Sequence, residues 1–416
     1  MSRTGFVRLL AFRAGVVALA TVGAAASVVL SPSAASAANT ITPSPTGHLK
    51  FSMHGNGHGH GMSQYGAEGA ALKGFDYMAI LRFYYVATTL TTLPSSTIRV
   101  KLSAAGTALT VLAESSLTVG TVGALPVTGV ARYRLIADAG TTLTLQRLMT
   151  GATTWTNVAT QLPSGTGFTR GAGRAVRVYL TDGTSTSYWD TVVALRSGTS
   201  VLAVNRVTLD NYTRGVVPRE MPASWRPAAV AAQAVAARTY GRYYVEHPMN
   251  ANYDICDTSM CQVYGGAVHY SAANTVLYQD DPAAIVGNNN QVVQYGGKTI
   301  FAQFSASNGG WTVYGGQPYL KAHVDPYDAA GGLDPYTLQT QTTSTASFAQ
   351  AFGLKTLTSI VVTQRDGNGD WGGRVLAGYV KGVDSTNVAK QISFTGSGLQ
   401  NAVGTGTTWI NIQTVP

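Results

Sequence analysis

Charge is scarce in this chain: only 11% of its 416 residues are Asp, Glu, Lys or Arg. Hydrophobic residues reach 45%, so the high-charge, low-hydrophobicity signature of disorder is missing as well. The basic residues form no cluster, which argues against a nucleic-acid partner. After the N-terminal region there is no second apolar run of membrane-spanning length. No Gly-x-Ser-x-Gly elbow occurs, and no His is placed in sequence to activate a Ser. No repeat with a solenoid period is present. Cysteine is used only twice, at Cys256 and Cys261.

What is plentiful is glycine, 47 residues of it, together with Thr and Ser. This composition predicts a β-rich, turn-rich globular protein, and the length allows two or three domains. At the N-terminus, Arg3 and Arg8 precede an apolar run from Ala14 to Leu30. Ala35-Ser36-Ala37 then fits a small-residue cleavage site, so residues 1–38 read as an export signal. A retained anchor is the alternative. Cleavage removes Arg3, Arg8 and Arg13 and lowers the net charge of +9 by three. A basic exported protein suits an anionic polymer such as a bacterial wall.

Along the chain, residues 39–47, with Pro43 and Pro45, read as a linker. Residues 48–96 hold a Gly/His element followed by two helices. One helix covers Ser63–Lys73, with Gly74 as its terminator. The other follows Asp76 as N-cap. Residues 97–170 alternate apolar and polar positions between frequent turns and predict a separate all-β module. Residues 171–416 begin with more strands and then carry a helix from Pro227 to about Tyr244.

Four stretches carry candidate chemistry. In Gly215–Trp225, Glu220 stands in a turn between Pro218 and Pro222, beside Met221 and Trp225. Apolar surroundings raise a carboxyl pKa because desolvation disfavours the charged form, and a general acid working near neutral pH needs that shift. A solvated turn residue beside Arg219 is the plain alternative. In Gly55–Gly61, Gly alternates with His58 and His60, followed by Gln64 and Tyr65. With no acidic third ligand nearby, this is a poor metal site. Cys256–Gly266 offers Gln262 and Tyr264 beside turn glycines. Its two cysteines read as a local disulfide in an exported protein, with zinc as the alternative. Ser305–Thr312 is again mainly small and polar.

Taken together, the stretches GVVPREMPASW, AAQAVAARTY, CDTSMCQVYGG and SASNGGWT resemble the SpoIID/LytB domain of bacterial wall proteins. GHGHGMSQYGAEGAALKG resembles that family's Gly/His element. In the family's sporulation members this element follows the Glu motif, whereas here it precedes Glu220, so the domain reads as circularly permuted. Some relatives bind zinc in the loop matching Cys256–Cys261, but Met260 stands here in place of the His ligand. The resemblance implies an α+β fold: a β-rich, two-lobed domain with a few helices lining a cleft, plus the inserted all-β module. It implies a secreted, wall-associated lytic transglycosylase that needs no cofactor or metal. Such an enzyme cleaves glycan between N-acetylmuramic acid and N-acetylglucosamine, with Glu220 as its single acid/base. On this reading His58, His60, Gln64, Tyr65, Gln233, Arg238, Gln262, Tyr264, Ser305 and Ser307 bind the substrate. The partners are peptidoglycan strands, peptide-stripped ones among them. The alternative is a non-catalytic wall-binding enhancer whose partner is an amidase. His58 or His60, with Gln64 and Tyr65, is expected to pack beside Glu220.

Overall fold

Ser63 and Asp76 stop the chain from continuing as strand or loop by offering side-chain oxygens to free helix N–H groups. Ser63 accepts from Gly66 N and opens α1, Gln64–Leu72. Asp76 accepts from Ala79 N and opens α2, Tyr77–Tyr84. These are the caps expected from the sequence. Gly74, at φ +87°, follows the end of α1. In the computed structural model, which describes residues 39–415, four further helices follow: α3, Leu209–Glu220; α4, Pro227–Glu246; α5, Thr345–Ala351; and α6, Gly396–Val403. The export-signal reading of residues 1–38 lies outside the described residues. Among those described, no helix is long and apolar enough to cross a membrane.

The class is α+β and dominated by strands. Three apolar cores organise it. The first lies between an eight-stranded and a seven-stranded sheet and includes Val100, Tyr133, Phe168 and Val192. The second gathers α1, α2 and α4 around Tyr84, Tyr85 and Val235. The third packs strands from both ends of the chain around Phe51, Phe348 and Ile410.

Strand pairing crosses three of the expected boundaries. Residues 39–47 are not simply a linker, because Asn39–Ile41 pairs antiparallel with Thr356–Arg365 and buries Ile41. Residues 97–170 do not close as a module. Thr97–Lys101 pairs with Ser200–Thr208, Leu109–Leu112 with Val176–Tyr179, and Gly167–Thr169 with Thr191–Ser197. Each of these strands needs a partner from beyond residue 170 to cover its backbone groups. Residues 171–416 share a core with the 48–96 segment, as the circularly permuted reading expects. His48–Met53 lies between Gln339–Ser344 and Ile410–Val415 in a three-stranded sheet, so both chain ends share the third core.

The strand Thr97–Lys101 also supports the loop that matters below. Ile255–Cys256 adds to it in parallel. Asp254 locks that addition, accepting from Arg99 N at 2.7 Å and forming an ion pair with the Arg99 guanidinium at 2.6 Å.

Candidate functional site

Glu220 is the last residue of α3 and does not sit in an isolated turn. Pro218 lies inside the last turn of that helix, where it lacks the N–H that would bond the Arg214 carbonyl. The Asp281 N–H supplies the missing donor, at 3.1 Å from Arg214 O. A helix can therefore run through Pro218 to Glu220, because a neighbouring segment satisfies the carbonyl that proline frees. Gly215 allows the close approach that completes this end. Its position would put a Cβ 2.5 Å from Gly266 O, and Gly265 N bonds Gly215 O at 3.0 Å.

The Cys256–Gly266 loop crosses this helix end. Gln262, 2% exposed, donates to Tyr212 Oη at 2.9 Å and to Ala237 O at 3.1 Å, tying the loop to α3 and α4. The next residue then places its backbone N–H on the carboxylate, with Val263 N 2.6 Å from Glu220 Oε1. Burial raises the Glu220 pKa, and the Val263 hydrogen bond and Arg219 oppose the shift without reversing it. The C-terminal end of α3 acts in the same direction as burial, since the helix dipole is negative there.

Glu220 faces a cavity of about 450 Å³. His58, Gln64, Gln262 and Ser305 share its wall, and Glu220 is the only carboxyl group among the residues lining it. The Gly/His loop reaches this place by lying against the 303–308 segment. Asn56 bridges to Ser307, and Met62–Ser63 pairs in parallel with Phe304–Ser305. Gly55, Gly57, Gly59 and Gly61 all take positive φ. At Gly61 (φ +67°) a Cβ would stand 2.1 Å from Gln303 O, so no side chain fits. His58 Nδ1 accepts from His60 N at 2.9 Å. In the neutral ring this leaves the proton on Nε2. His58 lines the cavity and is exposed there, although many protein groups lie close to its ring. Desolvation lowers its pKa, with His60 and Arg374 adding to the effect. A neutral imidazole does not pull the neighbouring carboxyl pKa down as an imidazolium would.

Other expected site residues lie elsewhere. His60 stacks on His58 at 5.1 Å and bridges Val313, and it does not line the cavity. Tyr65 packs on Trp225 at 4.9 Å and on Tyr336 at 5.8 Å. Gln233 is fully buried behind Gln64, whose Nε2 lies 3.4 Å from Gln233 Oε1. Tyr264 is a core residue whose hydroxyl donates to Asn205 at 2.8 Å. Arg238 is 1% exposed and bonds Asp210 at 2.7 Å and Asn288 O at 3.0 Å. None of the last three lines the cavity, because each side chain is buried in the protein interior. The aromatic part of the wall, Tyr240, Tyr244, Phe301 and Phe304, was not singled out from sequence. Its signal was available in Tyr240, Tyr243, Tyr244 and His247, which recur at helical spacing.

Ser307 is also internal. Its Oγ lies 2.8 Å from Asp328 Oδ2 and 2.8 Å from Asp334 Oδ2. A hydroxyl has one hydrogen, so a carboxyl proton must serve one of the two contacts. Burial and the neighbouring Asp328 push Asp334 up to about 7 and Asp325 to about 6. Both folded-state values are raised above ordinary carboxyl values. The stability they contribute is therefore present at low pH and lost as pH rises from the ordinary carboxyl range through 6–7. We expect the melting temperature to fall between pH 5 and pH 8, and Asp334→Asn to remove roughly 2–4 °C of that fall. Parallel melts of both proteins across that range check this; identical pH slopes count against it.

Cys256 and Cys261 are bonded to each other, with Cα atoms 5.8 Å apart. Among the described residues, no group of three or more His, Cys, Asp or Glu could hold a metal ion. Cys261 lines the Glu220 cavity, so the bridge stiffens the segment that leads to Gln262 and Val263. Replacing both cysteines by serine should cost about 1–3 kcal/mol. Urea melts of the double variant measure the cost, and a midpoint matching the parent protein would show the bridge to be dispensable.

Residues 197–295 match the family described as Stage II sporulation protein, SpoIID. This stretch contains Glu220 and the disulfide loop but is shorter than the span of motifs noted in the sequence. The chain is 30% identical over 169 residues to stage II sporulation protein D of Bacillus subtilis, covering 37% of this chain and 48% of that protein. It is 30% identical over 175 residues to the protein of the same name from Bacillus amyloliquefaciens, covering 38% and 49%. It is 37% identical over 121 residues to the amidase enhancer of Bacillus subtilis, covering 28% and 15%. The chain thus spans less than half the length of these relatives.

Proposed function

We propose that this chain, whose residues 197–295 match the SpoIID family, is an exported lytic transglycosylase acting on the bacterial wall, with Glu220 as its acid/base. The observation that carries the reading is a single carboxyl group of raised pKa, oriented by the Val263 N–H in a cavity otherwise lined by neutral groups. A conventional glycosidase uses two carboxyls at a set separation, and this cavity wall offers one.

In the proposed reaction, protonated Glu220 gives its proton to the glycosidic oxygen, and the bond from that oxygen to C1 of the muramoyl sugar breaks. The muramoyl 6-hydroxyl oxygen bonds to C1, and Glu220, now a carboxylate, takes the hydroxyl proton. The products are a free 4-hydroxyl and a 1,6-anhydro ring; no water is consumed. His58 offers its Nε2 proton to a sugar hydroxyl or acetamide oxygen, and the amides of Gln64 and Gln262 lie along the same wall. Incubation with peptide-stripped glycan is expected to yield anhydromuramoyl ends detectable by mass spectrometry. Water-containing reducing ends, or no products, would oppose the reading.

The relative named amidase enhancer supports a second reading: a glycan-binding protein that stimulates a wall amidase. It is favoured if the wild-type protein binds glycan, leaves it intact and accelerates an added amidase.

A further inference from the structure

The last turns of α4 and its C-cap carry four rings on one side, Tyr240, Tyr243, Tyr244 and the cap residue His247. Such an aromatic stripe at helical spacing normally faces a core. Here only Tyr240 is buried, while Tyr243 and Tyr244 are half-buried and His247 is exposed. Phe301 lies against the stripe, with its centroid 5.0 Å from those of both Tyr240 and Tyr243. Tyr319 fixes Phe301 in place, its hydroxyl accepting from Phe301 N at 3.0 Å.

Beyond this aromatic partition is a second cavity, of about 510 Å³. Phe301 faces the first cavity and Tyr243 the second, so the two share one wall. Tyr243, His247, Tyr295 and Tyr319 supply ring surface to the second cavity; Gln294 and Gln317 supply amides. Tyr243 stacks on His247 at 4.4 Å, which holds both rings in one orientation. Flat apolar faces with amide groups at their edges match an N-acetylated pyranose, which has apolar C–H faces, equatorial hydroxyls and an acetamide. From Tyr240 to His247 the helix rises ~10 Å, roughly the length of two sugar rings.

We propose that the second cavity, reached over the Tyr243–Phe301 partition, is a saccharide subsite that holds sugars of the same glycan chain distant from the bond at Glu220. This assignment rests on the glycan reading above and deepens it: the substrate is a chain of several sugars, bound along α4, and a disaccharide fills only the first cavity.

The test uses the full protein carrying Glu220→Gln, so that ligand is not consumed, titrated calorimetrically with chitobiose and with chitohexaose. The hexaose should bind at least ~10-fold tighter than the biose, and Tyr243→Ala should lower hexaose affinity about 3- to 10-fold while leaving the biose unchanged. His247→Ala, at an exposed position that cannot compromise the core, should act in the same direction with a smaller effect. Equal affinity for both oligomers, or no response to either substitution, overturns the subsite and leaves the glycan reading standing if peptide-stripped glycan is still bound. Affinity that requires stem peptides and ignores chain length also overturns it. Failure to bind either oligomer or peptide-stripped glycan removes both readings.

Discussion

Glu220→Gln is expected to lower glycan cleavage by at least ~100-fold, the usual scale for loss of a general acid, while fold and glycan affinity stay as they are. Glutamine has the same shape, and its amide oxygen can still accept from the Val263 N–H, 2.6 Å away in the native protein. What it lacks is an exchangeable proton of suitable acidity. The same argument sets the pH dependence of the parent enzyme. The acid must be protonated, so kcat/KM should decline as pH rises through the raised Glu220 pKa, and that alkaline limb should vanish from any residual activity of the variant. Counting anhydromuramoyl ends over a pH series measures both effects. Equal product formation by the two proteins would remove Glu220 from the chemistry, leaving the enhancer reading to account for the cavity.

Arg238→Ala is expected to cost about 3–5 kcal/mol of stability, the range for breaking a buried pair by removing one partner. Arg238 sits in the middle of α4 with 1% exposure, and its guanidinium bonds Asp210 and the Asn288 carbonyl. Desolvation works against its charge while Asp210 supports it. Removing the cation leaves Asp210 and the Asn288 carbonyl short of donors beside α3, the helix that ends in Glu220. Denaturant midpoints report the loss directly. Enough Arg238→Ala protein should remain folded at low temperature to measure glycan affinity. A variant of normal stability with weakened glycan binding would instead return Arg238 to the substrate-contact role first expected for it.

These two residues also mark how far the sequence could be read. The local chemistry was legible: caps at Ser63 and Asp76, alternation in the strands, glycines that turn the chain, and an isolated Glu among apolar neighbours all act within a few residues. The family resemblance marked the stretches around Glu220, Cys256–Cys261 and the Gly/His loop without their mutual placement. The sequence did not show that Pro218 is helical, because the donor replacing its missing N–H comes from Asp281, outside the segment. Nor did it separate Gln262, which anchors the loop, from Val263, whose backbone N–H meets the carboxyl; a backbone donor leaves no trace in residue type. Arg238 and Ser305 look alike as polar motif residues, yet one is locked in the interior and the other lines the cavity.

The sequence by itself determined the kinds of elements, the β-rich character, the candidate carboxyl and the cysteine pair, since these depend on nearby residues and their side-chain chemistry. Only the tertiary structure decided that His58 and Gln64 share a wall with Glu220, that Thr97–Lys101 braces the Val263 loop, and that both chain ends close one core. Those outcomes depend on which strand edges and apolar faces find each other across more than a hundred residues. That selection is made by the burial of the whole chain and is not written in any single stretch of it.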